Sequence, residues 1–279
     1  MTMKRIVVGM DGSASARDAL QWAAALARST GAEIVAVNAH VPMQSEMRPG
    51  YLERLRDERA RELEQWCGQT LDEVDSALVV KDGDPRDVLP AALEELDGDL
   101  LVVASRGEGS RGPGFLSVGS VVEFLAHHLE RPLAVITPGA PPAITRAVIG
   151  VDGSDHGRHA IEWTAAVATA TGAHVTAVAV AEPGHPISTT DEDADWQLAS
   201  ERVLANEWAE PLAALGDRFS AVVSRAAPVA DVIVDEAAGA DADLVVAGAR
   251  GVGGVTGLRI GGTALAILHR ADRPVVLVP

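Results

Sequence analysis

The sequence predicts an α/β chain of two tandem domains, each built on a five-stranded parallel sheet with helices on both faces. Three observations carry this. The 279 residues are enough for two domains of roughly 100–200 residues each. The chain repeats itself: Lys4–Ala39 lies on Thr145–Val180 without a gap, and 17 of the 36 aligned positions are identical. Asp99–Gly107 likewise pairs with Asp243–Gly251, and Arg131–Ile136 with Arg273–Val278. Finally, short β-branched runs alternate with helical stretches, each long enough to serve as a crossover between parallel strands. The repeat is too long for a solenoid, whose units run to roughly 20–50 residues.

In the first copy the predicted strands are Arg5–Val8, Glu33–Asn38, Ser76–Val80, Leu100–Ala104 and Leu133–Ile136. Continuous apolar runs of this kind fit strands buried on both faces. Between them Ala14–Ser29, Leu52–Leu71, Arg86–Leu96 and Ser120–Leu129 carry Ala, Leu, Arg and Glu at helical spacing, and Gly31 supplies a C-terminal stop for the first helix. The second copy repeats the order from Ala147–Val151 to Val275–Val278. Pro138–Pro142 is rich in proline, which ends a strand and stiffens a connection. The domains are therefore placed at 1–138 and 145–279, with 139–144 as linker.

With 23 basic and 40 acidic residues the formal charge is −17, and 47% of residues are hydrophobic. That composition is globular and excludes a disordered acidic tail. Both copies are acidic, so neither offers the basic face that nucleic acid requires. Cys67 is the only cysteine, which excludes an intrachain disulfide or a multi-cysteine metal site and fits a reducing compartment. No apolar run approaches the roughly 18 residues of a membrane span, and the short apolar start meets Asp11 at once. A soluble, cytoplasmic protein with no membrane partner is expected.

In parallel sheets of this type ligands bind outside the carboxyl ends of the strands, where the winding reverses, so the loops after strands one and four matter most. After strand one come Gly9, Asp11, Gly12 and Ser13, repeated as Gly150, Asp152, Gly153 and Ser154. The pentapeptide alone fits a βα turn with a capping Asp or Ser. The same carboxylate would repel a phosphate unless it accepted a ribose hydroxyl or held a magnesium ion, so Asp11 and Asp152 also fit a nucleotide's sugar or its metal. After strand four come Arg106, Gly107, Gly109, Gly119 and Ser120, and in the second copy Gly248, Arg250, Gly251, Gly253, Gly261, Gly262 and Thr263. Glycines let a backbone approach a ligand, and a glycine next to a hydroxyl at a helix start aims free N–H groups at an anion. Arg106 and Arg250 can reach phosphate oxygens or stand solvated.

Other signatures are missing. No GxxxxGK[ST] loop occurs, the only lysines are Lys4 and Lys81, and Gly9–Gly12 does not complete GxGxxG. His156 and His159 lie three apart on a helix, but Ser15 and Asp18 stand there in the first copy. Cys67 and the five tryptophans, Trp22, Trp66, Trp163, Trp196 and Trp208, read as packing residues.

On these residues each half resembles a universal stress protein domain, and the whole resembles the tandem universal stress proteins of actinobacteria. The resemblance implies strand order 3-2-1-4-5 and, in ATP-binding members, a Gly-x2-Gly-x9-Gly-(Ser/Thr) signature with an Asp after strand one. It implies that Asp11 and Asp152 lie by ribose, phosphates and Mg2+. Gly107, Gly119, Ser120, Gly248, Gly251, Gly261 and Thr263 would contact phosphates, and Val41 would stand by the adenine. Neither copy matches fully: Ala104 replaces the first glycine, eleven residues separate Gly107 from Gly119, and Gly262 takes the hydroxyl position. The implied function is an ATP-binding stress-response regulator, with pairing of the last strands, a homodimer and an unidentified protein partner. A slow ATPase and a nucleotide-free scaffold are the alternatives.

Overall fold

The computed structural model describes residues 3–41, 51–72, 74–107, 118–128, 130–181, 200–251 and 260–279. The chain divides into two compact units, each made mostly of one half. In the first half the elements are β1 (Arg5–Met10), α1 (Ala14–Thr30), β2 (Glu33–His40), α2 (Tyr51–Cys67), β3 (Ser76–Asp82), α3 (Pro85–Glu95), β4 (Leu100–Ala104), α4 (Ser120–His127) and β5 (Leu133–Ile136). All its strand pairs are parallel, in the order β3-β2-β1-β4-β5. This is the expected order. The second half has β6 (Arg146–Gly150), α5 (Asp155–Thr171), β7 (His174–Val180), β8 (Phe219–Ser224), α6 (Val229–Gly239), β9 (Leu244–Gly248), α7 (Gly262–Arg270) and β10 (Val275–Val278). Its strands run β8-β7-β6-β9-β10, again all parallel.

β1 and β2 each run two residues beyond their expected ends because pairing outlasts the apolar run: Met10 lies beside Asn38, and His40 beside Asp82. Ile6, Val7, Val8 and Leu100 are fully shielded or nearly so, as strands covered on both faces require. α1 begins where the Ser13 hydroxyl accepts the Ala16 N–H at 3.1 Å. It stops at Gly31, whose φ of 74° sends its N–H back to the Ala27 carbonyl. α5 is framed the same way by Ser154 and Gly172. Trp22 and Trp163 are buried at equivalent positions of these helices, as packing residues. α2 is different, with only Leu63 and Cys67 buried, and it is tied down at its surface by an Arg56–Asp82 ion pair and by Arg17 stacking 4.7 Å from the Trp66 ring. α2 also ends at Cys67, short of the expected Leu71, in a 3-10 turn over Gly68–Thr70, where Gly68 has a φ of 48°.

Between β7 and β8 the described chain has an α-helical stretch at 200–203 that runs into a π-type turn, Leu204–Trp208, followed by the 3-10 segment Glu210–Arg218. Pro211 lacks an N–H for a helical ladder and Gly216 has a φ of 59°, so the second half has no straight counterpart of α2 among these residues.

Candidate functional site

The β1–α1 turn mounts a carboxylate on its own backbone. Asp11 Oδ1 accepts the Ser13 N–H at 2.9 Å, and Gly12 makes the reversal with a φ of 87°. In the second half Gly153 has a φ of 76°. There Asp152 Oδ1 accepts the Ser154 N–H at 3.0 Å and the Ser154 hydroxyl at 2.6 Å. The same hydroxyl accepts from Gly157 N–H at 3.0 Å and lies 3.2 Å from the Arg250 carbonyl. Ser13 and Ser154 therefore work as caps, and their hydroxyls hold the turn.

The loops after β4 and β9 come directly against these carboxylates. A Cβ on Gly107 would sit 2.6 Å from Asp11 Oδ2, and one on Gly251 would sit 2.4 Å from Asp152 Oδ2. These two positions are glycine because the carboxylate occupies the side-chain space. Gly9 and Gly150 have a different cause. A Cβ on Gly9 would meet Leu89 and Val103 at 3.1 Å, and one on Gly150 would meet Ile233 at 2.6 Å. Gly248 is closer still to backbone: a Cβ there would lie 2.8–2.9 Å from the carbonyl of His156 and the nitrogen of Gly157. The first turn of α5 rests on the end of β9.

In the first half a cavity of about 470 Å3 opens at the carboxyl ends of β1, β2 and β4. Val37, Ala39, Leu89 and Val103 give it an apolar wall, and Asp11, Arg106, Gly107, Gly119 and Ser120 give it a polar end. Gly119 donates its N–H to the Ser105 carbonyl at 2.8 Å and accepts from Glu123. It thereby holds the position just before α4, whose first N–H groups have no partner within the helix. Gly261 does the same before α7, donating to the Ala249 carbonyl at 2.7 Å, and α7 has no side-chain cap. Gly262 is its first residue and Thr263 its second, so the hydroxyl stands one step along the helix from where Ser120 stands on α4. Val41 follows β2 and is 60% exposed. Gly109 and Gly253 lie outside the described residues.

Arg250 Nε and His156 Nδ1 are buried with no hydrogen-bond partner. Burial and then the Arg250 charge hold the His156 imidazole below its usual pKa. His159 Nδ1 is 3.1 Å from the Pro279 carbonyl oxygen, and its ring stands 73° from that of His156. Among the described residues no three His, Cys, Asp or Glu side chains are grouped to hold a metal ion. The Cys67 thiol is buried, which pushes its pKa up, as a packing residue requires.

Sequence reasoning did not connect three residues with the site. Asn38 is buried and donates to the Met10 carbonyl at 2.6 Å, pinning the end of β1; an amide inside the apolar run of β2 was its signal. Arg59 of α2 donates to the Asp11 carbonyl at 3.3 Å. The Trp208 indole lies on the Gly153 turn. Nothing in the spacing of these last two marks them, because both arrive from distant segments.

A doubly repeated parallel sheet with a carboxylate turn facing a glycine loop defines a class, and the chain belongs to the universal stress protein family, whose model matches residues 2–137 and 143–279. It is a tandem member, with one family domain in each half. The universal stress protein Rv2623 of Mycobacterium tuberculosis H37Rv is 30% identical over 310 residues, spanning 98% of this chain and 95% of that protein. A universal stress protein of Mycolicibacterium smegmatis is 28% identical, spanning 98% and 96%. Among solved structures, a universal stress protein from Archaeoglobus fulgidus superimposes with a TM-score of 0.75 at 19% identity, covering 100% of this chain and 99% of that one, and so shares the fold. Among the described residues no helix is long and apolar enough to cross a membrane.

Proposed function

We propose that this chain is an adenine-nucleotide-binding regulator of the stress response, taking ATP with Mg2+ at the strand ends of each domain, 1–138 and 145–279. The observation that supports this is the cavity of the first half, which joins an apolar slot to an open helix N-terminus. Its volume of about 470 Å3 falls within the range of roughly 300–1,000 Å3 usual for small-ligand sites. The slot between Val37, Ala39, Leu89 and Val103 suits a flat base, beside which Val41, the residue after β2, would stand. The N–H groups of α4 and α7, with Gly107, Gly119, Ser120, Gly251, Gly261, Gly262 and Thr263, suit phosphates. Arg106 and Arg250 add charge. Asp11 and Asp152, mounted on Gly9–Ser13 and Gly150–Ser154, suit a ribose hydroxyl or the magnesium ion that offsets their repulsion of phosphate. Gly109 and Gly253 belong to the same two loops.

The missing hydroxyl at Gly262 weakens the second site by about 1.5–3 kcal/mol, one hydrogen bond to a charged group, which leaves binding intact. We further propose that the protein acts in the cytoplasm as a homodimer, through a protein partner. The test is to denature the purified chain, identify released small molecules by anion exchange, and titrate the stripped protein calorimetrically with ATP, ADP and AMP plus Mg2+. Adenine nucleotide released or bound is expected. No release and no heat would make the chain a nucleotide-free scaffold. Phosphate release from ATP that disappears in Asp11→Ala with Asp152→Ala would make it a slow ATPase.

A further inference from the structure

The two carboxylate turns are backed by different chemistry. A Cβ on Gly12 would lie 3.4 Å from Arg59 Nη2, whereas a Cβ on Gly153, its repeat equivalent, would lie 3.0 Å from the Trp208 indole. Both side chains come from the crossover between the second and third strands of their half, Arg59 from α2 and Trp208 from the π-type turn. Arg59 Nη2 donates to the Asp11 carbonyl at 3.3 Å, and Nη1 donates to Glu62 at 3.1 Å. Its side chain is 36% exposed, and it does not line the cavity, so it acts through the turn and through its charge. The second half has no cation from this crossover at the turn among the described residues. Arg106 and Arg250 are repeat equivalents, so each site has one arginine from its own glycine loop.

A carboxylate beside a phosphate-binding loop opposes anions in proportion to their charge. A guanidinium bonded to the same residue's carbonyl offsets that opposition, while an indole leaves it in place. Resting on the nucleotide-binding reading above, we propose that Arg59 is a positioning and charge-selecting residue. It makes the first site prefer nucleoside triphosphates over monophosphates more strongly than the second site, where Trp208 holds the equivalent place.

The test uses the full chain with one site blocked, Gly251→Val to read the first and Gly107→Val to read the second, titrated with ATP, AMP and adenosine at two salt concentrations. In the first site Arg59→Gln lowers the ATP-to-AMP affinity ratio by about two- to fivefold, the scale of one partly exposed charge contact. It flattens the salt dependence, leaves adenosine unchanged, and Arg59→Lys restores most of the ratio. Trp208→Phe leaves the ratio of the second site unchanged. A purely structural Arg59 would weaken all three ligands equally, and that result, or an unchanged ratio, overturns the proposal. If wild type binds none of the three at either site, the nucleotide reading itself fails, which is a separate outcome.

Discussion

Replacing Gly251 by alanine is the sharpest probe of the contact between the two loops. The new Cβ would stand 2.4 Å from Asp152 Oδ2, where ordinary contact begins at 3.4 Å, so the carboxylate must withdraw by about 1 Å. It cannot do so freely, because Oδ1 is held by the Ser154 N–H at 3.0 Å and the Ser154 hydroxyl at 2.6 Å. Losing a hydrogen bond to a charged group costs about 1.5–3 kcal/mol. Against this, Gly251 is not among the residues of positive φ, so alanine fits the backbone and stabilises by about 0.4–1 kcal/mol through the unfolded chain. The net expectation is a loss of about 1–2 kcal/mol, read as a lower urea midpoint for the second domain, together with weaker nucleotide binding there.

The sign of the effect is the decisive feature. With Asp152→Ala the obstruction is gone and only the unfolded-state gain remains, so Gly251→Ala becomes stabilising in that background. Gly107→Ala in the first domain follows the same rule more weakly, since its Cβ would stand 2.6 Å from Asp11 Oδ2, and Asp11 Oδ1 takes the Ser13 N–H alone from that serine. A four-variant cycle by urea denaturation checks this. If Gly251→Ala is neutral in wild type, or costs as much with Asp152→Ala as without, the carboxylate does not explain the glycine and the argument is refuted.

Gly248→Ala should cost about 1–3 kcal/mol, the range for overpacking, because its Cβ meets the backbone of His156 and Gly157; a urea midpoint equal to wild type would contradict that. Asp84 caps α3 through the Arg86 N–H at 2.9 Å and pairs with the Arg86 side chain, and its pKa is lowered to about 2, first by the Arg86 side chain. A depressed carboxyl stabilises above its unfolded pKa and loses that contribution as pH falls. Stability should therefore decline between about pH 4 and pH 2 on this account, and Asp84→Asn should flatten that limb of a pH–stability curve. Cys67, buried and with a raised pKa, should react slowly with a thiol reagent at neutral pH and quickly in urea; fast native labelling would place it at the surface.

Much of the fold was legible because each strand is an apolar run and the run recurs in the second copy. β4, β5 and β10 end where their apolar runs end. β1 and β2 run on to Met10 and His40 through backbone pairing, to which side-chain hydrophobicity is blind. The carboxylate turn was legible as a pattern, Gly-x-Asp-Gly-Ser, and its capping reading holds at Ser13, while the approach of Asp11 to Gly107 of the β4 loop was not written in the pattern. Arg59 and Trp208 were illegible for a physical reason. Each is brought to its turn by the packing of a crossover segment whose own sequence is polar or interrupted, so no local period records the contact.

The glycine signature itself separates into different physical demands once the contacts are known. Gly251 makes room for a carboxylate, Gly261 leaves a helix start uncapped, and Gly248 lets the first turn of α5 rest on β9. At the last position the first domain has Ala104, and opposite it Ala16 stands where the second domain has Gly157. The two glycines answer different neighbours: a Cβ on Gly248 would meet the His156 and Gly157 backbone, whereas a Cβ on Gly157 would meet Asp152 Oδ1 at 2.9 Å and Ser154 Oγ at 3.2 Å. Ala16 and Ala104 both line the cavity. The first glycine of the signature therefore answers to the helix backbone packed on the strand end and not to a ligand, and in the first domain the alanine in its place stands in the wall of the cavity.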